Sequence, residues 1–531
     1  MKKIIICVLL LICCSCQRDD DVLHNDKFEI DENSNLPIIY IESGEINSTL
    51  SSASMKIVDT SNNIPEGQLY NGYIEIRLRG NTTALRDKHP YKIKLKNKTD
   101  LFGMGSSKHW VLLANDLDHT QIRNKLSFNL ARDLGMDYTP ESRFVSLVLN
   151  GKYQGVYELV EHIRVEPERV NIYDWKDVFS TEIDNNTIIY HKKDVVTNVP
   201  QTGGFLLEGN YYYYEDFLED GEYIDWKIDD QDKMISNIFT DWHMPFKFNT
   251  PEYVYPDTDL YQYTYNYIQS FEYSLHSPDF IYHADANHYV PTNIELTKGD
   301  EGEVYWSYDL KESSYHDNQF DGYKYNDFFD MDSLVNYFLV NEITMDRDCM
   351  SNSIFLYKDI GGKAFMGPVW DFDIAFNTVK PNKGDYIVDT WRNLDTRFFK
   401  DDKRIFYRAT QWYVQLCKNT EFLDAVYDKY WEVRDTAIQN MIDSVNTYRD
   451  ELSYDCKKND ELWGYRYSMK QEDPDFDYNN FYLDYASLGY EEAYDFLYKF
   501  VTERIAWMDE QMSSREQFYD SIAKTLEHNK L

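Results

Sequence analysis

Two acidic loops contain the residues of this chain whose types and spacing are best suited to chemistry. The first reads Asp346-Arg347-Asp348 and the second reads Asp371-Phe372-Asp373. Phosphoryl transfer needs one carboxylate to orient the attacking hydroxyl group, and others to hold the Mg²⁺ or Mn²⁺ ion that neutralises a triphosphate. Two acidic loops at one place could supply both kinds of carboxylate.

The elements around these loops are predicted to bring them together. Apolar residues at helical spacing predict a helix over residues 333–343, and the first loop follows this helix. Residues 353–357 and 363–370 are predicted to form two strands joined by a glycine turn, with the second loop at the end of the second strand. Because the turn folds the strands back on each other, both loops arrive at the same end of the hairpin. Carboxylates placed this close repel each other unless a cation lies between them.

The order helix, acidic loop, short hairpin and Asp-Phe is also the order of the corresponding parts in protein kinases. Two features differ, because no glycine follows Phe372 and no G-x-G-x-x-G loop occurs upstream. A standard kinase site would therefore lack the loop that covers the phosphates. The tripeptide Asp371-Phe372-Asp373 alone is a weak signal, and its weight comes from the order of the elements around it.

Two alternating strands upstream carry basic side chains. Residues 73–79 and 91–96 alternate between apolar and charged positions, as half-buried strands do. The first strand ends at Arg79, before the turn Gly80-Asn81-Thr82-Thr83, and the second points Lys92, Lys94 and Lys96 outward.

Helices and a hairpin are predicted around these strands. A helix over residues 120–134 has Thr120 as its expected N-cap and Gly135 as its stop. Asn150-Gly151 predicts a tight hairpin turn between two apolar runs. Residues 422–433 and 490–512 predict two amphipathic helices near the C-terminus.

The stretch Arg77-Leu78-Arg79-Gly80-Asn81-Thr82-Thr83 resembles the RGNSS motif of the CotH (spore coat protein H-like) family of atypical kinases. The block Gly367-Pro368-Val369-Trp370-Asp371-Phe372-Asp373 matches that family equally well. The similarity runs from about residue 36 to the C-terminus, with gaps at two acidic insertions. Further similar blocks occur in the family's order: Tyr91–Leu95, Leu101–Met104, Trp110–Asn115, Arg123-Asn124, Tyr138–Pro140, Gly151–Tyr157 and Gly203–Glu208.

The resemblance implies an α+β fold of the atypical, two-lobed protein-kinase-like type with a helical C-terminal extension. It implies ATP- and metal-dependent phosphorylation of exported or surface proteins, typically on serine, with Mg²⁺ or Mn²⁺. In this interpretation Asp348 is the catalytic carboxylate and Asp371 is a metal ligand, and Asn352 and Asp373 are further candidate ligands. The metal-binding register of Asn352 in its loop stays open.

The resemblance also implies a set of nucleotide-binding residues. Lys94 would bind phosphate, with Lys92 as the alternative because the same strand face carries both, and Glu161 would form an ion pair with that lysine. Arg79 and Asn81 would replace the missing glycine loop, and Glu208 completes the set.

Each of these assignments has a structural alternative. Lys92, Lys94 and Lys96 could form a solvated strand face. Glu161 and Glu208 could be salt-bridge or capping residues. Arg123 and Asn124 are expected to anchor a helix rather than to contact a ligand.

Composition limits the partners. The formal charge is −38 at pH 7, which argues against nucleic acid and anionic lipid surfaces because both would repel the chain. It would tolerate or attract a basic protein partner, although acidity could serve solubility alone; the kinase-like resemblance adds a serine-rich protein as a candidate substrate. Cys349, Cys417 and Cys456 lie outside the N-terminal segment and have no metal-ligand spacing, so neither a disulfide framework nor a zinc site is implied.

The N-terminus resembles a bacterial lipoprotein signal. Lys2 and Lys3 precede a short apolar run that ends at Ser15-Cys16, which predicts a signal peptide over residues 1–16 and lipidation of Cys16. A buried N-terminal strand is the alternative. The segment Gln17-Arg18-Asp19-Asp20-Asp21, with its acidic cluster, resembles a surface-export signal or forms a solvated tether. We therefore expect a monomer at the outer membrane or cell surface, attached to the membrane only through its lipid.

The predicted boundaries follow these segments. An acidic tether covers residues 17–35, and a short β-rich segment covers 36–70. The kinase-like domain covers 71–400, with acidic insertions near 174–203 and 211–235, and a helical region covers 401–531.

Other functions stay open on sequence alone. One is a surface protein that uses the same fold without turnover to bind a glycan or another protein. A second is AMP transfer at the same site. A third is a glycosidase that uses Asp348 and Asp371 as acid and nucleophile, which the element order disfavours.

Overall fold

A computed structural model describes residues 34–530, except for 60, 62, 81–82, 84–85, 177, 180–181, 185–186, 190–196, 211–217, 220–221, 224–236, 253, 300–303, 349–350, 378–385, 396–409 and 465–488. Cys16, the signal peptide, Asn81 and most of the insertion at 211–235 therefore lie outside the described residues, and their predicted roles stay predictions.

Seven of the described strands form a closed barrel with the order β1-β2-β3-β4-β5-β7-β6. The barrel closes where β1 pairs antiparallel with β2 and parallel with β6. Residues 36–70, predicted as a separate β-rich segment, thus supply the first two barrel strands. The barrel strands are β1 Ile38–Ser43, β2 Ser51–Val58, β3 Asn71–Leu78, β4 Tyr91–Asp100, β5 Ser106–Leu113, β6 Ser142–Leu149 and β7 Lys152–Glu161.

Strand alternation places the apolar side chains inside the barrel, as the sequence predicts. Ile76 and Ile93 are fully buried in its interior, whereas Arg77 and Lys92 on the same two strands lie on its outer surface. The turn between β6 and β7 has the predicted geometry, because Asn150 and Gly151 both have positive φ angles, 50° and 71°.

A second, five-stranded sheet has the order β13-β14-β10-β17-β18. Strand β10 lies at its centre between β14 and β17, and the predicted hairpin β17–β18 forms one edge. The remaining described strands form three separate hairpins. The bounds are β8 Glu182–Asp184, β9 Thr187–Ile189, β10 Phe205–Gly209, β11 Leu218–Glu219, β12 Glu222–Tyr223, β13 Asn237–Phe239, β14 Pro245–Thr250, β15 Tyr289–Lys298, β16 Val304–Glu312, β17 Ile354–Lys358 and β18 Ala364–Met366.

The described helices pack on both sheets: the helix Met331–Thr344 contacts β18 of the second sheet, and the helix Gln439–Trp463 contacts β7 of the barrel. A π-helical turn, Arg434–Ile438, joins α6 to α7, and 3₁₀ turns occur at Glu66–Gln68 and Asn318–Phe320. The α-helices are α1 Arg123–Asp133, α2 Asp259–Leu275, α3 Tyr325–Phe328, α4 Met331–Thr344, α5 Thr410–Leu416, α6 Thr420–Val433, α7 Gln439–Trp463, α8 Tyr490–Gln511 and α9 Arg515–His528.

Helix α1 begins three residues later than predicted, and Thr120 is not its cap. The Asp118 carboxylate accepts hydrogen bonds from the backbone N–H and the hydroxyl of Thr120, and from the backbone N–H of Arg123. A cap at Thr120 would need its own hydroxyl and the backbone N–H of Arg123, but both of these groups bind Asp118. The helix ends as predicted, because Gly135 follows it with a φ of 90°.

Two large hydrophobic cores and one small cluster hold the described part of the chain together. One core fills the barrel, and the other joins the second sheet and outward-facing barrel residues such as Val111 and Val160 to α1, α4 and the C-terminal helices. The small cluster contains Ile38, Tyr40 and Val148. Residues such as Leu497 and Phe500 of α8 are fully buried in the second core, so the helical region after residue 400 packs into the main body. The mixture of helices and sheets confirms the α+β class. No helix in the described part of the chain is long and apolar enough to cross a membrane.

Candidate active site

The first acidic loop follows α4 directly. The carboxylate of Asp330 caps this helix by accepting from the backbone N–H of Ser333. The helix ends at Thr344, and the next residue, Met345, has a φ of +46°. The carbonyl of Asp348 accepts from the backbone N–H groups of Ser351, at 2.9 Å, and Asn352, at 3.1 Å. These bonds close a tight turn that leads into β17 and leaves the Asp348 side chain half-buried.

The second acidic loop follows β18, which is shorter than predicted. The strand ends at Met366 because Gly367 has a φ of 113° and Pro368 has no N–H group to donate. The backbone then reaches Asp371 in the left-handed region, with a φ of 72°. Such a conformation is uncommon for aspartate and needs support from its neighbours.

The start of α1 supplies that support. The side-chain oxygen of Asn124 accepts from the backbone N–H of Phe372 at 2.7 Å, and the Arg123 guanidinium donates to the Ala375 carbonyl at 3.2 Å. The Ser353 hydroxyl donates to the Asp371 carboxylate at 3.3 Å. Arg123 and Asn124 therefore anchor the helix to the second loop, as expected.

The two loops meet, as the sequence predicts, and their carboxyl groups act on one another. Burial raises the pKa of Asp373 well above its usual range, and the charges of Asp371 and Asp348 raise it further. Burial also raises the pKa of Asp371, against the opposing effect of Arg79. The pKa of Asp346 is raised well above its usual range by burial and then by Asp348. A positive charge near these four neighbouring carboxyl groups would therefore stabilise their charged forms.

A divalent cation fits this donor set. Within the described residues, one side-chain oxygen of Asp346 and the side-chain oxygen of Asn352 are buried without a hydrogen-bond partner. Among the same residues, no group of three or more acidic, His or Cys side chains is close enough to form a complete metal site. Mg²⁺ is usually bound by one or two carboxylates, with the remaining ligands coming from waters and substrate phosphates. The unpaired oxygens of Asp346 and Asn352 are therefore the observation that fits a Mg²⁺ or Mn²⁺ ion, whose remaining ligands would come from outside these residues.

One basic side chain next to the barrel, Arg79, lies opposite these acids, and further basic side chains lie near it. The Arg79 guanidinium lies 5.3 Å from the centre of the Trp370 ring, next to Asp371. Burial lowers the pKa of Arg79, and the charges of Asp371 and Glu208 oppose that shift. Burial and the charges of Arg77 and Arg164 lower the pKa of Lys92 to about 8. Arg79 and Lys92, with Arg77 and Arg164 beside them, form a basic surface that we call the barrel cluster.

The structure separates Lys94 and Glu161, which were expected to pair. The Lys94 ammonium lies 2.5 Å from Glu75 on the neighbouring strand, on the solvated side of the sheet. Glu161 lies at the end of the barrel, where its carboxylate contacts Arg169 at 3.4 Å and accepts from the backbone N–H of Glu141 at 3.0 Å. The expected ion pair is therefore wrong, and Lys92 is the lysine that shares its surroundings with Arg79.

Glu161 makes stability depend on pH. Burial raises its pKa to about 7, against the opposing effects of the Glu141 N–H and Arg169. The native state therefore keeps a proton that the unfolded chain has already lost, and folding stability falls as pH rises from about 4.5 to about 7. We expect the free energy of unfolding of the wild type, relative to Glu161→Gln, to drop by roughly 2–3 kcal/mol between pH 5 and pH 8.

Urea unfolding at the two pH values measures this difference. Glu45→Gln makes the same chemical change at an exposed position and is the control. A wild-type-minus-variant difference that is equal at pH 5 and pH 8 would contradict the proton uptake.

Glu208 reaches the site from the central strand of the second sheet. Two glycines set the start of that strand, because a Cβ on Gly203 would lie 2.1 Å from the Asp359 carbonyl and one on Gly204 would lie 2.4 Å from the Trp175 indole nitrogen. Glu208 then pairs in register with Phe355 of β17, the strand that follows the first acidic loop. This register places the charge of Glu208 near Arg79.

Two arginines lie at the site that no local sequence pattern identifies as site residues. Arg164 joins the barrel cluster from the segment after β7, and Arg392 donates to carbonyl groups of the first acidic loop. Neither residue stands in a periodic pattern or a motif. Only the packing of distant segments brings them to the site.

A family model described as CotH kinase protein matches residues 76–239 and 258–508. The match covers most of the chain and includes both acidic loops, the barrel cluster and the C-terminal helices up to α8. No curated protein matches the chain.

Proposed function

The chain belongs to the CotH kinase protein family, and from this premise we propose that it is an ATP- and metal-dependent atypical kinase. The observation that carries the proposal is the meeting of four carboxyl groups, from Asp346, Asp348, Asp371 and Asp373, opposite the basic residue Arg79. A triphosphate with a divalent cation complements both sides, because its phosphates match the basic surface and its cation matches the acids.

The proposed architecture is two-lobed, and it is supported by the separate hydrophobic core that fills the barrel interior. The barrel and its cluster of basic residues would form one lobe, and the second sheet with its helices would form the other. The nucleotide would lie between them. Arg79 and Lys92 would bind the phosphates in place of a glycine-rich loop, which fits the absence of a G-x-G-x-x-G motif from the sequence.

Asp348 has the role of catalytic carboxylate in this proposal. It would orient the acceptor hydroxyl, expected to be that of a serine, and receive its proton as the oxygen forms a bond to the γ-phosphorus. The bond from that phosphorus to the bridging oxygen breaks at the same time, and ADP leaves with the electron pair. Asp371, Asp373 and Asn352 would hold the Mg²⁺ or Mn²⁺ ion, which neutralises charge on the phosphates when bound.

The substrate is proposed to be an exported or surface protein with basic or serine-rich segments. The formal charge of −38 supports a basic partner by electrostatic attraction. Lipidation at Cys16 would place the enzyme at the outer membrane or cell surface. The remaining predicted nucleotide contacts, Lys94, Asn81, Glu161 and Glu208, stay predictions, with Glu208 supported by its effect on Arg79.

Intact-mass analysis after incubation with ATP and Mn²⁺ or Mg²⁺ tests the proposal. We expect a gain of about 80 Da per modified site on the protein itself or on myelin basic protein as a generic basic acceptor. A gain of about 329 Da would instead show AMP transfer at the same site. No gain, together with no nucleotide binding by calorimetry, would refute the kinase and favour a non-catalytic binding protein.

A further inference from the structure

Arg392 reaches the first acidic loop from a segment that precedes the C-terminal helices. Its Nε donates to the carbonyl of Asp346 at 2.6 Å, and its Nη2 donates to the carbonyl of Arg347 at 2.5 Å. The side chain is fully buried. Two donors of one planar guanidinium therefore bind two successive carbonyls of the loop that carries Asp348, which restrains both the position and the direction of its backbone.

Arg392 is itself held by a buried carboxylate. Glu342, in the last turn of α4, accepts from the backbone N–H of Arg392 at 2.6 Å and from the backbone N–H and side chain of Asn393 at 2.9 and 2.7 Å. Helix α4 leads directly into the acidic loop. The same carboxylate thus connects the helix before the loop with the segment that binds the loop.

The C-terminal helix α8 completes this arrangement. Arg504 donates to the Glu342 carboxylate at 3.0 Å, and it donates to the carbonyls of Val388 and Thr390 at 2.7 and 2.6 Å. Helix α9 contacts the same segment, since the Trp391 indole donates to the Ser521 hydroxyl at 2.9 Å. Both helices therefore hold the segment that presents Arg392.

We propose that Arg392 is a positioning residue for phosphoryl transfer: it fixes the backbone that places Asp348, and α8 fixes Arg392 through Glu342 and Arg504. This inference rests on the proposed function. The C-terminal helices then have a functional role in addition to packing, because they hold the segment on which the geometry of the first acidic loop depends. The Arg392 charge also acts on Asp346 and opposes the rise in the pKa of that group.

The test compares Arg392→Met, Arg392→Lys and wild type in the full chain. We expect Arg392→Met to lower kcat for transfer from ATP to myelin basic protein by about 10–100-fold, with KM for ATP changed less than about 3-fold, because a misplaced carboxylate affects the reacting geometry more than nucleotide binding. Arg392→Lys keeps the charge and one donor, so it is expected to recover part of kcat. Amide hydrogen exchange of the peptide containing residues 346–348 is expected to rise in Arg392→Met.

Arg434→Met is the matched control. Arg434 also binds α8, with its guanidinium donating to Asp509 at 2.7 and 2.8 Å, but these contacts do not reach the acidic loop. We expect a lower melting temperature with kcat and the exchange of residues 346–348 unchanged. Equal loss of kcat in Arg434→Met and Arg392→Met, or unchanged kcat in Arg392→Met, overturns the inference. Either result leaves the proposed kinase function unaffected.

If the wild type transfers no phosphoryl group, the proposed function fails. The exchange measurement alone then tests whether Arg392 anchors the first acidic loop. Faster exchange at residues 346–348 in Arg392→Met, but not in Arg434→Met, would support the anchoring of the loop. Equal exchange in all proteins would overturn it.

Discussion

Replacing Asp348 or Asp371 by asparagine is expected to lower kcat for phosphoryl transfer by about 10²–10⁴-fold. Asparagine keeps the size of the side chain but can neither accept the proton of the acceptor hydroxyl nor contribute negative charge for the cation. The measurement is transfer from ATP to the protein or to myelin basic protein, at a temperature well below the melting transition of each variant.

The same substitution at Asp371 is expected to leave stability unchanged or to raise it. Burial raises the pKa of Asp371 by more than the charge of Arg79 lowers it, and Asp348 raises it further, so the charged form costs free energy in the folded state. Asparagine removes that cost. Loss of activity with an equal or higher melting temperature is the signature of a group retained for function rather than for folding.

Asp332→Asn is the control for this pair. Asp332 is an exposed residue in the first turn of α4, the helix that leads to the acidic loop. We expect its substitution to leave kcat within about 2-fold of the wild type, as for a surface change away from the site. An Asp348→Asn or Asp371→Asn variant with wild-type kcat would exclude the assigned role of that residue.

Arg504→Met is expected to lower the free energy of unfolding by about 3–5 kcal/mol, because it leaves the Glu342 carboxylate buried without its ion-pair partner. Both side chains are fully buried, and their charged groups are 3.0 Å apart. Burial already raises the pKa of Glu342, and the charge of Arg504 lowers it. Without that charge Glu342 is expected to bind a proton more readily, so the loss of stability should be larger at pH 8 than at pH 5.

Two further variants show whether the loss comes from the unpaired charge. Arg449→Met removes a partly exposed arginine that joins α7 to Glu491 and Asp495 of α8, and it is expected to cost no more than about 1 kcal/mol. Glu342→Gln combined with Arg504→Met should cost less than Arg504→Met alone, since no buried charge is left unpaired. Equal losses for Arg504→Met and Arg449→Met in urea unfolding would contradict this account.

Local patterns predicted much of the candidate site. The alternation in β3 and β4 showed which side chains enter the barrel, because side chains of a strand alternate between its faces. The turns at Asn150-Gly151 and Gly361-Gly362 predicted two hairpins, and the second hairpin brought Asp348 and Asp371 together. The boundaries of two elements differ from the prediction. Helix α1 starts at Arg123 and β18 ends at Met366, because a side-chain turn and a proline compete with the regular hydrogen bonds.

The sequence by itself determined the family and, through that resemblance, the α+β class, because motifs similar to the family's occur in order along the chain. It also determined the meeting of the two acidic loops, because short-range periodicity and turn residues encode strands and hairpins. Tertiary structure alone decided that β1 closes the barrel against β6, that Lys92 rather than Lys94 lies beside Arg79, and that Arg392 binds the loop of Asp348. These contacts join residues far apart in the chain. Such contacts depend on how whole elements pack against one another, and a local pattern of residue types does not predict this packing.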